Sequence, residues 1–308
     1  MSDVPTWRPD LSARTAVDVV VCGGGPAGVA AALAARRRGR DVLLVEGTGQ
    51  FGGMGTSGLV THWLGGRTSD GRGWVVGGIF RELSERAAAA GFARLPTADA
   101  ADGFTPHGWH RGRGPLVSGV PFDPVPLAAL LDAVLTEAGV EFLLDTRAVD
   151  ALTDGAGRIT HVVVQHKGGF EAVPAAAVVD ATGDADLAAR SGCDVILGRE
   201  GDQLMTPATL EMIVDQVDAD ALAAYIDEHG AETRCYRFLD EIARWRAAGD
   251  WPFAYDRLIC VQLPAPDTFL VNTSRLVGID GTDADSLTAG YTEGRRQSLQ
   301  LLEVLRRR

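Results

Sequence analysis

The chain has 308 residues, of which 46% are hydrophobic and 23% charged, and its formal net charge is −12. That is enough apolar material for one large or two closely joined domains, and it excludes a chain disordered over most of its length. The negative balance argues against a broad nucleic-acid or anionic membrane surface, because the mean field repels a polyanion.

In chain order, residues up to Ala16 read as a tail, without the basic and apolar run of an export signal. Val17 to Cys22 is short and β-branched, which predicts a buried parallel strand. Pro26 suits a first helical turn, the alanine-rich run continues that helix, and Gly39 ends it. Arg36, Arg37, Arg38 and Arg40 lie at its exit, where cations suit the helix dipole. Val42 to Val45 is the next strand, completing a βαβ unit. Gly49 to Gly78 follows as a glycine-rich functional loop, closed by a helix from Ile79 to Ala90.

Ala98 to Pro121 reads as a loop carrying His107, Trp109, His110, Arg111 and Arg113. Leu127 to Ala138 is a helix ended by Gly139, and the stretch VEFLLDT is a strand. Ala148 to Thr153 and Ile159 to His166, joined by DGAGR, form a hairpin. Ala175 to Ala181 is another apolar run, ending in DATGDADLAARSG. From Leu197 the texture changes to charged helices and the strand candidates ATLEMIVDQV, DRLICVQL and TFLVNTS, and Asp285 to Arg308 is a final helix. No segment reaches the roughly 18 uninterrupted apolar residues of a membrane span. Cys22, Cys193, Cys235 and Cys260 show neither a paired spacing nor a metal-ligand spacing, so a reduced cytoplasmic setting without a metal is expected.

Gly23, Gly25 and Gly28 occupy G-x-G-x-x-G positions. The first permits a tight turn, the second lets a pyrophosphate approach, and the third lets helix and strand pack closely. Pro26 and Ala27 complete the turn at a helix N-terminus that suits phosphate. Glu46, ending the second strand, is placed for a ribose diol and disfavours a 2′-phosphate. The motif alone leaves NAD and FAD open.

Three further stretches resemble the FAD-dependent oxidoreductases of the glutathione-reductase-like superfamily, fumarate-reductase-like branch. GGMGTSGLV, Gly52 to Val60, resembles that family's second glycine loop beneath the flavin. VVDATGDADLAARSG, Val178 to Gly192, resembles the strand end beside the adenosine half. Val271 to Leu305 resembles the strand and helix returning from the substrate domain. The resemblance implies an α/β fold, with a Rossmann-like doubly wound FAD-binding domain (17–61, 121–199 and 281–308) and a smaller mixed substrate domain or lid (62–120 and 200–280). It implies FAD as cofactor, held by Gly23, Gly25, Pro26, Ala27, Gly28, Glu46, Gly52, Gly53, Met54, Ala181, Thr182, Gly183 and the backbone of Val149.

The chemistry it implies is hydride transfer between a small organic substrate and flavin N5, with a separate electron acceptor or donor. His62 is the candidate base or substrate ligand, or else a histidine bonded to a loop carbonyl. Arg275 faces flavin or substrate, or makes a surface ion pair. His107, Trp109, His110 and Arg111 suit a substrate-binding lid, or else an exposed loop of solvated charges. Relatives of this type continue beyond the helix ending near Arg308. The FAD-binding domain is therefore expected to be C-terminally incomplete, in a truncated chain, in one whose site a partner or second copy completes, or in a degraded relative that folds poorly. A flavin monooxygenase and a nucleotide-binding protein without catalysis are the alternative functions.

Overall fold

A computed structural model describes residues 9–68, 73–95, 119–229 and 238–307. Its first half contains β1 (Leu11–Ala13), β2 (Val17–Cys22), α1 (Pro26–Arg36), β3 (Val42–Val45), a 3-10 turn at Gly53–Gly55, β4 (His62–Trp63), α2 (Gly78–Ala89), β5 (Val120–Pro121) and α3 (Pro124–Ala138). Then follow β6 (Glu141–Leu143), β7 (Arg147–Thr153), β8 (Ile159–His166), β9 (Gly169–Asp180) and α4 (Asp186–Arg190). The remainder is β10 (Met212–Val214), α5 (Ala219–His229), α6 (Leu239–Ala247), β11 (Cys260–Gln262), β12 (Phe269–Val271) and α7 (Ala284–Arg307).

The chain divides into two compact units, one of residues up to Ser57 with Val125–Val195, the other of Gly58–Pro124 with Ile196–Arg308. In the first unit the sheet order is β6-β3-β2-β9-β8-β7, with β1 paired to β9. Strands β6, β3, β2 and β9 run parallel, which explains why β3 is buried throughout and reads as an unbroken apolar run. The core gathers Val20, Cys22, Leu43, Val45, Val162, Val164, Val173 and Leu187. This is the doubly wound α/β arrangement expected of a Rossmann-like fold.

Strand β9 does two jobs. Its residues up to Pro174 pair with β8, and Ala175 to Asp180 pair with β2. The tail expected up to Ala16 is corrected at Leu11–Ala13, which adds a parallel strand beside Phe170 to Ala172. Arg14 anchors it by reaching Glu141 at 2.7 Å and Glu171 at 3.0 Å, partners more than a hundred residues away and so invisible to local pattern.

In the second unit, β10, β12 and β11 form an antiparallel sheet, and β4 pairs with β5. One cluster joins Met212, Cys260 and Val271 of the sheet to Ile242 of α6 and Leu301 and Val304 of α7. Helix α7, assigned from sequence to the FAD-binding domain, therefore groups with this unit, because its apolar stripe finds its partners here. A second aromatic cluster sets Trp63 4.6 Å from Phe122 and 5.7 Å from Phe80.

Candidate cofactor site

The turn between β2 and α1 is shaped by steric exclusion. Gly23 has φ +100°, and a side chain there would overlap the carbonyl of Ala181 at the end of β9. A side chain on Gly28 would overlap the carbonyl of Gly23, so the helix can sit this close to the turn only without one. Gly25 is different: it is the N-cap of α1, and a Cβ there would meet no protein atom within 4 Å. Gly25 supplies no capping side chain, and Pro26 follows at the start of the helix. Open space thus lies before a helix N-terminus carrying partial positive charge, which suits a pyrophosphate.

The second glycine loop is tied to this turn. The Gly52 amide donates to the Gly24 carbonyl at 2.9 Å, and a Cβ on Gly53 would come within 3.0 Å of the Gly25 Cα. Met54 follows in the 3-10 turn with an exposed side chain. Glu46 is 8% exposed and accepts three hydrogen bonds: from the Gly24 amide at 2.7 Å, the Thr48 amide at 2.7 Å and the Thr48 hydroxyl at 2.8 Å. Two carboxylate oxygens offer about four acceptor positions, so Glu46 holds the turn and keeps one position for a further donor.

Val149 lies at an irregularity in β7. The ladder passes from Ala148 opposite Val164 to Asp150 opposite Val163, and Val149 is left out of register. At the end of β9, the Ala181 amide donates to the Cys22 carbonyl at 2.8 Å, and Gly183 turns the chain with φ +96°. Asp180 organises this corner by accepting from the Thr182 amide at 3.0 Å, the Thr182 hydroxyl at 2.7 Å and the Ala188 amide at 2.8 Å. Burial alone would raise the Asp180 carboxyl, but these bonds outweigh it and hold its pKa low. The Cys22 thiol is pushed up to about 12, by burial first and then by the charge of Asp180, so it is packing and not a nucleophile.

All of the sequence-assigned cofactor residues lie in the first unit. Of the other assignments, His62 begins β4 in the second unit with a half-buried ring, beside the fully buried Thr61. Arg275 is exposed, its guanidinium 5.2 Å from the centre of the Tyr255 ring. His107, Trp109, His110 and Arg111 lie outside the described residues. Sequence reasoning overlooked Thr48 and Asp180. Both stand within or beside recognised motifs, and their polar side chains next to tight turns were the available signal. Among the described residues, no group of three or more His, Cys, Asp or Glu gathers as metal ligands, and no helix is long and apolar enough to cross a membrane.

A parallel sheet with a glycine turn at its carboxyl edge, an uncapped helix N-terminus and an acid ending the next strand defines a dinucleotide-binding protein. The chain belongs to the FAD dependent oxidoreductase family, whose model matches residues 18–308. FAD is the family's cofactor, and the space before Gly25 and the remaining acceptor position of Glu46 fit its ADP half.

Solved structures similar to this chain include L-proline dehydrogenase from P. horikoshii, with 14% identity, a TM-score of 0.48, and coverage of 93% of this chain and 77% of that one. Glycerol-3-phosphate dehydrogenase from Bacillus halodurans, complexed with FAD, has 14% identity, a TM-score of 0.45, and coverage of 86% and 48%. Thermovibrio ammonificans THI4 has 17% identity, a TM-score of 0.40, and coverage of 59% and 66%. The chain spans less than two thirds of the length of several solved structures that it matches. The comparison with curated proteins gives no match.

Proposed function

We propose that this protein is a flavoenzyme of the glutathione-reductase-like superfamily, fumarate-reductase-like branch, that moves a hydride between a small organic substrate and flavin N5. Bound FAD supplies the hydride acceptor or donor. The first turn of α1 holds the pyrophosphate, aided by the close approach of Gly52 and Gly53. Glu46 binds the adenosine ribose while still bracing Gly24, the backbone of Val149 meets adenine, and Ala181 to Gly183 line the adenosine side. His62 serves as base or substrate ligand, and His107, Trp109, His110 and Arg111 are the candidate substrate-binding residues.

The observation that supports this reading is the open space before Gly25, set between an uncapped helix N-terminus and a buried carboxylate. The test is an absorption spectrum of the protein after incubation with FAD and desalting. Retained flavin is expected. Gly25→Val should abolish retention, because a branched side chain would stand where the pyrophosphate lies, and retention equal to wild type would remove the turn from the site. Anaerobic bleaching of the retained flavin by a panel of secondary alcohols, 2-hydroxy acids and amino acids then tests the hydride reading.

A further inference from the structure

The chain leaving β3 through Glu46 is fastened to the start of β7. The Thr146 amide donates to the Glu46 carbonyl at 2.8 Å, and the Asp145 amide donates to the Thr48 carbonyl at 2.9 Å. Asp145 turns the chain here with φ +50°, a left-handed conformation that aspartate adopts more readily than most residues. Arg147, the first residue of β7, then lays its aliphatic stem across the backbone of Gly47. A Cβ on Gly47 would stand 3.0 Å from Arg147 Cγ, 3.5 Å from Nε and 3.8 Å from Cδ. The glycine after the acid is thus the seat of the arginine arm.

Arg147 is exposed, and among the described residues its guanidinium has neither an ion pair nor a hydrogen bond. Two carboxyls stand close to it in the chain, Glu46 and Asp145, and neither takes it. Glu46 is engaged by Gly24 and Thr48. Both carboxyls oppose a phosphate or other anion at this cation. A planar guanidinium in such a field is suited to an aromatic face, the contact that Arg67 makes in this same chain 4.5 Å from the centre of the Trp74 ring. Position selects which face. Gly47 adjoins Glu46, whose remaining acceptor position suits a ribose, and Val149 lies two residues beyond Arg147 in β7. The arginine arm therefore stands between the residue next to the ribose acid and the residue whose backbone meets adenine in the reading above.

We propose that Arg147 binds the adenine of the cofactor, its guanidinium stacked on the base and its stem seated on Gly47. The role rests on the reading above, in which Glu46 takes the adenosine ribose and the backbone of Val149 meets adenine. It adds a side chain to a base contact otherwise made by backbone. The site then favours a dinucleotide, which carries a base at this end, over a sugar diphosphate that has none.

Equilibrium titrations of the apoprotein with FAD, ADP and ribose 5-diphosphate test this, the last carrying the ribose and the pyrophosphate without the base. Arg147→Ala should weaken FAD and ADP by a common factor of about 5- to 30-fold and leave ribose 5-diphosphate unchanged. Arg147→Lys keeps the stem on Gly47 and the charge but not the plane, and should recover only part of the lost ADP affinity. Unchanged FAD and ADP affinity in Arg147→Ala, an equal loss for ribose 5-diphosphate, or wild-type affinity in Arg147→Lys would overturn the role. A wild-type protein that binds neither FAD nor ADP would overturn the cofactor reading and this role with it, whereas wild-type binding that Arg147→Ala leaves intact removes Arg147 alone.

Discussion

Asp180 in the first unit and Glu211 in the second are both carboxyls at the end of a strand, and in both burial is the largest influence on ionisation. They end on opposite sides of their ordinary values. At the β9–α4 corner the chain turns sharply through Gly183 and Ala185, the latter with φ +58°, and so aims amides of the next segment back at Asp180. At the bulge before β10 the spare polar capacity is absorbed by Ser274 and the Leu210 backbone, and among the described residues nothing reaches Glu211 Oε2. Hydrogen-bond donors, the Thr182 hydroxyl first and the backbone amides after it, therefore decide the sign of the shift, and burial sets how much is at stake.

The comparison can be broken most severely at the corner itself. Gly23→Ala places a side chain against the Ala181 carbonyl at a φ of +100°, and it should cost about 3 kcal/mol of stability, from overpacking plus backbone strain. Denaturant unfolding of the two proteins measures this, and a change below about 0.5 kcal/mol would show that the corner yields freely.

Opposite pH dependences sharpen the comparison. Asp180 has a lowered folded pKa, so its stabilisation is present above about pH 4 and is lost as the pH falls through the folded value. The gap in melting temperature between wild type and Asp180→Asn should therefore close in acid. Glu211 has a raised folded pKa, so wild type should lose stability relative to Glu211→Gln as the pH climbs from about 4.5 to about 7, and hold level above that. Parallel melting curves for either pair would refute that half of the comparison. The smallest expected effect is that of Thr182→Val, which removes one of the bonds to Asp180. It should cost about 1 kcal/mol and raise the acid midpoint, both read from denaturant melts at several pH values.

Much of the first unit was legible because its determinants are local. Val17 to Cys22, the glycine turn, α1 and Val42 to Val45 succeed one another within about thirty residues, and each glycine proved to be excluded from bearing a side chain or to face open space. The hairpin of β7 and β8 was equally visible, since its turn residues lie between its strands. What stayed hidden depended on distant partners. Leu11–Ala13 becomes a strand only because β9 offers an edge, and α7 joins the second unit only because Ile242 and Trp251 receive its apolar stripe. Glu211 read as one more residue of a strand candidate until the mismatch between residues 209–211 and 272–275 set it apart.

By itself, then, the sequence determined the βαβ unit, the nucleotide turn and the family, because glycine placement and apolar period act through bonds within a few residues of each other. Tertiary structure alone decided the ionisation of Asp180 and Glu211, the bracing of Gly24 by Glu46, and the unit to which each outlying strand and helix belongs. Those outcomes depend on which donors and apolar faces long-range folding brings together, and no short window of residues contains both partners.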